Sequence, residues 1–137
     1  MVNMKRILEI LVDKAKEARK NAYAPYSKFK VGAAVLADNN EIYTGVNVEN
    51  ASYGLTICAE RVAVFKAVSE GAKQIKAVAI VADTDAPVPP CGACRQVILE
   101  FATKECKIVM ANLQGKKMIK TIDELLPYSF TSEVLNE

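Results

Sequence analysis

Hydrophobic and polar positions follow two different periods along this chain, and together they predict both helices and strands. Over residues 4–22 the apolar side chains recur every three or four positions with charged residues between them, which is typical of an amphipathic helix. Short runs rich in apolar and β-branched residues, bounded by turn residues, predict strands. The predicted helices are 4–22, 58–70, 92–103 and 123–126, and the predicted strands are 29–37, 41–47, 75–82, 107–111 and 118–121.

Turn and capping residues mark where these elements begin and end. Pro25 terminates the first helix, since the residue before proline avoids the helical region. The run Asp38-Asn39-Asn40 is typical of a turn, so the first two strands form a hairpin. Thr56 is a candidate cap for the start of the second helix, and Gly71 is a candidate for its end. Pro90 precedes the third helix.

The order of the elements predicts a fold of the α/β class. Helices alternate with strands after an initial hairpin, which favours a mixed five-stranded sheet with helices on both faces. The helices between strands then begin beside strand ends, where ligand sites form in such folds. A length of 137 residues is that of one domain, so we expect a single domain over residues 1–137.

Composition and charge narrow the range of partners. The chain is 51% hydrophobic and 25% charged with a net charge of only +2, which is typical of a globular protein that does not bind a nucleic acid backbone. No stretch approaches the ~20 apolar residues of a membrane span. The first ten residues include Lys5, Arg6 and Glu9 and no apolar signal core. We therefore expect a soluble, cytoplasmic protein.

The chain contains four cysteines and no histidine. Without histidine, Ser-His-Asp triads, Cys-His proteases, HExxH metalloproteases and 2-His-1-carboxylate iron sites are excluded. Any metal must be held by sulfur or oxygen, and any general acid or base must be a carboxylate, Lys, Tyr or Cys. In a reducing cytosol, these cysteines favour metal binding or catalysis over disulfides.

Three of the cysteines are predicted to stand at helix starts. Cys91 and Cys94 share one face of a first helical turn, and Cys58 begins another helix. Helix N-termini favour thiolates, and three thiolates suit a tetrahedral zinc ion with one open position, as in catalytic sites. Two alternatives stay open: redox use of Cys91 and Cys94, and a closed structural site with Cys106 as fourth ligand. A cysteine beside a strand is more often a core residue, which we favour for Cys106.

Glu60 changes the balance between these alternatives. A lone glutamate in a first helical turn is most often a charge that suits the helix dipole. Combined here with Cys58 and the run Pro90-Cys-Gly-Ala-Cys94, it matches the zinc deaminase signature, in which the glutamate is not a ligand. Such a carboxylate takes a proton from water, delivers it to the ring nitrogen and protonates the departing amine.

Several segments closely resemble the short-chain cytidine deaminases of nucleoside salvage. The resemblance runs from residue 23 to about residue 130 and is carried by FKVGAAV, NVENASYG, ICAERVAVFKAVSEG, PCGACRQVI and ELLP. It implies a three-layer α/β/α fold and zinc-dependent hydrolysis of cytidine and 2′-deoxycytidine to uridine, 2′-deoxyuridine and ammonia. It also implies that Cys58, Cys91 and Cys94 bind one zinc ion per chain and that Glu60 is the proton shuttle.

The same resemblance assigns substrate contacts. Asn47 and Glu49 match the Asn-x-Glu that binds the ribose 3′-hydroxyl, although their spacing alone indicates only a polar loop. Phe29 matches the aromatic residue beside the pyrimidine, a position that would otherwise be interpreted as strand-edge core. The resemblance also implies that the base contacts the backbone of Ala59 and Cys91, and that Tyr53 helps to close the pocket of its own or a neighbouring subunit.

The family of this length forms homotetramers whose active sites are completed across subunit boundaries. Phe130 resembles an aromatic residue that each chain contributes to a neighbouring site. Tyr128 and Ser129 precede it where the family pattern has smaller residues, which is a departure from that pattern. The resemblance therefore implies a homotetramer with a nucleoside substrate and without nucleic acid or membrane partners.

Arg61 has a physical argument of its own. Zinc with three thiolates carries a net charge of −1, which weakens the metal as a Lewis acid. An arginine that donates hydrogen bonds to the thiolates withdraws that charge, and the resemblance implies this role for the arginine after the glutamate. The alternative is a solvated arginine on a helix surface.

Three other functions compete with cytidine deamination. A deaminase of aminonucleoside antibiotics, of the blasticidin type, shares the metal motif, although Asn47, Glu49 and the FKVGAA strand favour the nucleoside. A non-catalytic zinc or redox module would use Cys91 and Cys94 alone. An RNA- or DNA-editing deaminase is disfavoured by the near-neutral charge and the lack of a basic or aromatic platform.

Overall fold

The predicted helices and strands occur in the predicted order, and a 3-10 turn and a short fifth helix, neither of them predicted, are added to them. The computed structural model describes residues 3–135, so residues 1–2 and 136–137 of the predicted domain lie outside the described part of the chain. The helices are α1 (Met4–Arg19), α2 (Ala59–Ser69), α3 (Gly92–Phe101), α4 (Ile122–Leu125) and α5 (Ser132–Leu135), with a 3-10 turn at Tyr53–Leu55. The strands are β1 (Val31–Ala37), β2 (Ile42–Val46), β3 (Ile75–Ala82), β4 (Ala102–Asn112) and β5 (Lys117–Thr121).

The strands form one mixed five-stranded sheet in the order β2-β1-β3-β4-β5. Strand β1 is antiparallel to both β2 and β3, β3 is parallel to β4, and β5 returns antiparallel to β4. The parallel pair requires a crossover, and α3 provides it. The predicted mixed sheet is confirmed, and the start of α3 follows the carboxyl end of β3.

Helices cover both faces of the sheet, so the predicted three-layer arrangement is confirmed. On one face, α1 buries Leu8, Leu11, Val12 and Ala15 against small residues of the central strands, which are Ala34, Ala77, Ala79, Val81, Val109 and Ala111. On the other face, α2 and α3 bury Ala63, Val64, Ala67 and Ile98 against Val35, Ile75, Val78, Ile80, Ile108 and Met110. Within residues 3–135, no helix has the length and apolar character that a membrane crossing requires.

The first helix is shorter than predicted. It ends at Arg19 rather than at residue 22, because the next residues turn to bring Tyr23 beside Val48. The Tyr23 N–H donates to the Asn47 carbonyl at 3.0 Å, and the Glu49 N–H donates to the Tyr23 carbonyl at 2.9 Å. A long-range backbone pairing therefore ends α1 before Pro25 does.

The third helix also ends early, at Phe101, and β4 begins at once. The sequence predicts helix to residue 103 and strand only from residue 107, but Ala102 adopts an extended conformation and pairs with Ile75 of β3. The apolar spacing near residue 102 suits either element, and pairing with a strand far away in sequence decides between them.

At α2, the predicted C-terminal end is confirmed and the predicted N-cap residue is wrong. Gly71, one position after the C-cap residue, has φ 99°, and its N–H donates to the Val68 carbonyl while the Ala72 N–H donates to that of Ala67. This is the glycine-terminated helix end that the sequence predicts. The prediction that Thr56 caps the start was wrong, because Cys58 occupies the N-cap position and the Thr56 hydroxyl accepts from the Asn50 N–H.

Candidate metal centre and active site

Three thiols from two helix starts converge on one point. Cys58 is the N-cap of α2, Cys91 is the N-cap of α3, and Cys94 lies in the first turn of α3. Their sulfur atoms all lie within 4.8 Å of one another, and those of Cys58 and Cys91 are 3.9 Å apart. Tetrahedral zinc with Zn–S bonds of about 2.3 Å separates its sulfur ligands by about 3.8 Å. The three residues therefore fit a zinc ion.

Close packing of α2 on β2 places Cys58. A Cβ atom on Gly45 of β2 would lie 2.5 Å from both the Ala59 carbonyl oxygen and the Ala63 nitrogen. Only glycine therefore lets the first turn of α2 lie this near the strand. The helix axis, and with it Cys58 at the helix start, is set by this contact.

Arg95 places Cys91. Its Nε atom donates to the Pro90 carbonyl at 2.8 Å, and its Nη1 atom donates to the Leu125 carbonyl at 2.6 Å. One guanidinium thus joins the peptide that precedes Cys91 to the end of α4. The sequence analysis did not single out Arg95, and its only sequence signal is its position directly after Cys94.

Neither N-cap thiol accepts a capping hydrogen bond from a backbone N–H of its own helix. The helix N–H groups and the positive end of each helix dipole therefore remain directed at the cluster. A hydrogen bond from the Cys94 thiol, and then one from Arg61, lower the pKa of Cys58 to about 5. The same shared proton, together with burial, raises the pKa of Cys94. Cys58 and Cys94 can therefore both ionise only when a cation offsets their charge, which is the condition that zinc binding meets.

Arg61 lies one helical turn beyond Cys58. Its Nη2 atom donates to the Cys58 sulfur at 3.5 Å. Its Nε atom is buried and has no hydrogen-bond partner within residues 3–135. One end of the guanidinium therefore contacts the cluster, and its Nε–H is a buried donor without a partner among the described residues.

Glu60 lies in the first turn of α2 and borders the cavity in front of the thiols. Its side chain is only 5% exposed, and burial raises its pKa to about 7. A carboxyl group of this pKa both takes up and releases a proton near neutral pH. Within the described residues, the potential metal-ligand cluster consists of the three cysteines, so Glu60 is left for proton transfer.

A cavity of about 250 Å³ opens beside the cluster. Among the residues that the sequence analysis assigned to the site, its lining includes Phe29, Asn47, Glu49, Tyr53, Cys58, Ala59, Glu60 and Cys91. It also includes residues that the analysis missed, namely Ser27, Val31, Thr56, Ile57, Ile80, Val88 and Pro89. Ser27 and Val31 flank Phe29, and Val88 and Pro89 precede the cysteine motif, so nearness to a motif was their available signal.

The Asn47 side chain forms hydrogen bonds to the backbone of the segment that contains Phe29. Its Nδ2 atom donates to the Phe29 carbonyl at 2.7 Å, and its Oδ1 atom accepts from the Val31 N–H at 2.9 Å. Each of these groups keeps one further hydrogen-bonding position. The side chain thus supports the cavity wall and still has capacity for a ligand.

Glu49 is the second carboxylate of the cavity, and its side chain is only 4% exposed. It accepts hydrogen bonds from the Tyr26 N–H, the Ser27 N–H and the Ser27 hydroxyl. These bonds, the hydroxyl first, hold the pKa of Glu49 below its usual range. Glu49 is therefore ionised at neutral pH.

The two other predicted aromatic residues are largely exposed. Tyr53 belongs to the 3-10 turn at the cavity and is 60% exposed. Phe130 is 59% exposed and is absent from the cavity lining, taken over the described residues. Its carbonyl accepts from Gln96 Nε2 at 2.9 Å. The structure therefore does not bring Phe130 into the cavity of its own chain.

Cys106 lies apart from the thiol cluster. It is fully buried in the core beneath α2 and α3, and burial raises its pKa to about 12. It is a small core residue, as the sequence analysis favours, and the fourth-ligand alternative was wrong. The three-thiol cluster keeps one position free for a further ligand.

Comparison with known proteins gives the same family at the level of the domain, the sequence and the fold. Residues 5–110 match the cytidine and deoxycytidylate deaminase zinc-binding region. The chain is 53% identical to the cytidine deaminase of Halalkalibacterium halodurans over 94% of its own length and 98% of the relative. It is 34% identical to the blasticidin-S deaminase of Bacillus cereus over 77% and 79%. The crystal structure of the Burkholderia pseudomallei cytidine deaminase superposes with a TM-score of 0.86 at 46% identity, covering 89% and 98%.

Proposed function

Because the chain belongs to the family of zinc-binding cytidine and deoxycytidylate deaminases, we propose that it hydrolyses cytidine and 2′-deoxycytidine to uridine, 2′-deoxyuridine and ammonia. The observation that carries the proposal is the convergence of three thiols and a buried carboxylate on one cavity. The activity resides in one domain over residues 1–137. The higher identity to a cytidine deaminase than to a blasticidin-S deaminase favours the nucleoside substrate.

Cys58, Cys91 and Cys94 would hold one zinc ion per chain. When bound, zinc supplies Lewis-acid activation of water near neutral pH. Arg61 acts on the cluster through Cys58, since its Nη2 atom donates to the Cys58 sulfur. It draws negative charge from the thiolates and so offsets the excess charge of an all-sulfur ligand set.

Glu60 moves the protons of the reaction. It takes a proton from the attacking water and delivers it to the ring nitrogen as oxygen bonds to the carbon that bears the amino group. It then transfers the remaining hydroxyl proton to the amino group, the carbon–nitrogen bond breaks, and ammonia leaves. Its burial and its pKa of about 7 support this role, because one group has to act as base and then as acid.

The cavity wall binds the nucleoside. Phe29 lies beside the pyrimidine, and the backbone of Ala59 and Cys91 contacts the base. Asn47 and Glu49 bind the ribose 3′-hydroxyl, for which both retain hydrogen-bonding capacity. The lining contains two carboxylates and, over the described residues, neither lysine nor arginine, which favours an uncharged nucleoside over a nucleotide.

The assembly proposed for the chain is a homotetramer with shared active sites. Tyr53 and Phe130 support it, because both are large aromatic side chains with most of their surface exposed. Phe130 then serves the cavity of a neighbouring subunit. We place the enzyme in the cytoplasm, in pyrimidine salvage, since its zinc ligands have to stay reduced and all four cysteines are free thiols.

The ultraviolet absorbance change that accompanies deamination of cytidine tests the proposed function. Wild type turns over cytidine, whereas Glu60→Ala keeps its zinc and fold and loses several orders of magnitude in turnover. Glu70→Ala, at the exposed end of the same helix, is the matched control and retains full activity. Equal activity of the wild type and Glu60→Ala would sink the proton-shuttle assignment. A titratable Cys91–Cys94 disulfide without turnover would favour the redox alternative.

A further inference from the structure

We propose that Ser27 is a positioning residue for substrate binding, which acts by orienting the Glu49 carboxylate while its own hydroxyl is held by the Phe29 backbone. The inference rests on the proposed function, in which Glu49 binds the ribose 3′-hydroxyl and Phe29 lies beside the base. Ser27 itself donates nothing to the substrate. Its hydroxyl is committed to the protein on both sides.

The segment that contains Ser27 is hydrogen-bonded to residues 47–49, which follow the end of β2. Tyr23 exchanges two backbone hydrogen bonds with residues 47 and 49, at 3.0 and 2.9 Å. The Lys28 N–H closes the turn by donating to the Ala24 carbonyl at 3.1 Å. Ser27 is therefore brought to Glu49 by backbone pairing, over a separation of 22 residues in sequence.

The Ser27 hydroxyl accepts one hydrogen bond and donates another, and each has a fixed partner. Its Oγ atom accepts from the Phe29 N–H at 3.0 Å. Its one proton is then free to point only toward an acceptor, and that acceptor is Oε2 of Glu49. The chain of donors thus runs from the Phe29 backbone through Ser27 to Glu49, and it joins the base-side residue to the sugar-side residue.

The arrangement leaves one oxygen of Glu49 with capacity for a ligand. Oε1 accepts two backbone N–H groups, those of Tyr26 at 3.0 Å and Ser27 at 3.1 Å. Oε2 accepts the Ser27 hydroxyl and retains a further acceptor position, because a carboxylate offers about four in all. Since Glu49 lines the cavity, a substrate hydroxyl would donate to Oε2. Ser27 therefore orients the carboxylate so that this position stays available.

Lys28, between Ser27 and Phe29, adopts a left-handed conformation with φ 61°. This conformation is uncommon for a residue with a side chain and persists only where its surroundings hold it. The hydrogen bond from the Phe29 N–H to Ser27 spans Lys28 and holds it. Removal of the Ser27 hydroxyl would therefore release the Glu49 carboxylate, whereas the Phe29 segment stays held by Asn47, which binds the Phe29 carbonyl and the Val31 N–H.

The test compares Ser27→Ala with wild type on cytidine and on 3′-deoxycytidine, which lacks the hydroxyl assigned to Glu49. With cytidine, the KM of the variant should rise about tenfold while kcat changes less than twofold, because a hydrogen bond to a charged group is lost from binding. With 3′-deoxycytidine, the KM should change far less. A purely structural role would raise both KM values alike.

Two further variants complete the experiment. Ser27→Cys keeps the side-chain shape with a weaker donor and should give an intermediate, cytidine-selective rise in KM, which answers the question if Ser27→Ala does not fold. In a Glu49→Gln background, Ser27→Ala should add little for cytidine, since the effect passes through Glu49. Ser69→Ala, whose hydroxyl donates to the Lys66 carbonyl at the far end of α2, is the control and should match wild type.

The outcomes separate this inference from the proposed function. A wild-type protein that fails to deaminate cytidine would overturn both. An active wild type in which Ser27→Ala leaves the KM for cytidine unchanged, or raises both KM values equally, would overturn the role of Ser27 alone.

Discussion

The sulfur atoms of Cys58 and Cys91 lie 3.9 Å apart, although 33 residues separate them in the chain. Each is the N-cap of its own helix, so the distance between them depends on the positions of α2 and α3 on the sheet. The distance is that of two sulfur ligands on one tetrahedral zinc ion. The fold therefore assembles the metal centre from two elements that are each formed locally.

Replacement of one cluster thiol should remove the zinc. Cys91→Ala leaves two thiolates, which bind the metal far more weakly, so the purified protein should contain well below one zinc per chain. Cys106→Ala is the matched control, because Cys106 is buried in the core and lies outside the cluster. Metal analysis of both variants after gel filtration makes the comparison. Retention of a full equivalent by Cys91→Ala would contradict the assignment.

Arg61→Ala should weaken the centre without removing a ligand. The variant loses the donor that lies 3.5 Å from the Cys58 sulfur, so the thiolates retain more negative charge. Loss of an outer-shell partner of this kind lowers metal affinity or activity by about 10–100-fold. Chelator competition and turnover measure the two effects, with the exposed Arg6→Ala as control. If both zinc retention and turnover are unchanged in Arg61→Ala, the proposed role of Arg61 is wrong.

Gly45→Ala should destabilise the fold and displace the start of α2. Its Cβ would lie 2.5 Å from backbone atoms of Ala59 and Ala63, which cannot rotate away. Overpacking of this kind costs about 1–3 kcal/mol or more in the free energy of unfolding. Gly54→Ala is the control, since nothing lies within 4 Å of its Cβ position. Thermal unfolding of the two variants should differ clearly, and equal stabilities would refute the close-packing argument.

Substrates with a 5′-phosphate should be deaminated with a low kcat/KM. The lining of the cavity contains Glu49 and Glu60 and, over the described residues, no lysine or arginine to receive a phosphate dianion. Repulsion between like charges costs several kcal/mol at such a site, so kcat/KM for 2′-deoxycytidine 5′-monophosphate should be at least ~100-fold below that for 2′-deoxycytidine. Absorbance assays with both compounds give the ratio. Comparable values would show that a cation from elsewhere reaches the site.

Most of the fold could be predicted from local patterns. The 3.6-residue and two-residue periodicities depend on neighbours along the chain, and they placed β3 at its observed bounds, residues 75–82. The helix ends that differ from the prediction by more than one residue, at Arg19 and Phe101, are those where backbone pairing with a distant segment takes over. Thr56 differs for a local reason, because its hydroxyl accepts from the N–H of Asn50 and Cys58 takes the N-cap position.

The sequence by itself determined the chemistry available to this protein. Because the chain has no histidine, the deaminase signature, whose first ligand is His or Cys, can be met only with three thiolates. The spacing of Cys58, Glu60, Cys91 and Cys94 places each at a helix start, because capping and periodicity are local properties. The tertiary structure alone decided which of these groups meet, that Cys106 lies apart from them, and that Phe130 lies outside its own cavity. It also decided that Ser27 binds Glu49 and that Arg95 holds Pro90. These contacts join residues brought together by the pairing and packing of the whole sheet, whose energies depend on segments far apart in sequence.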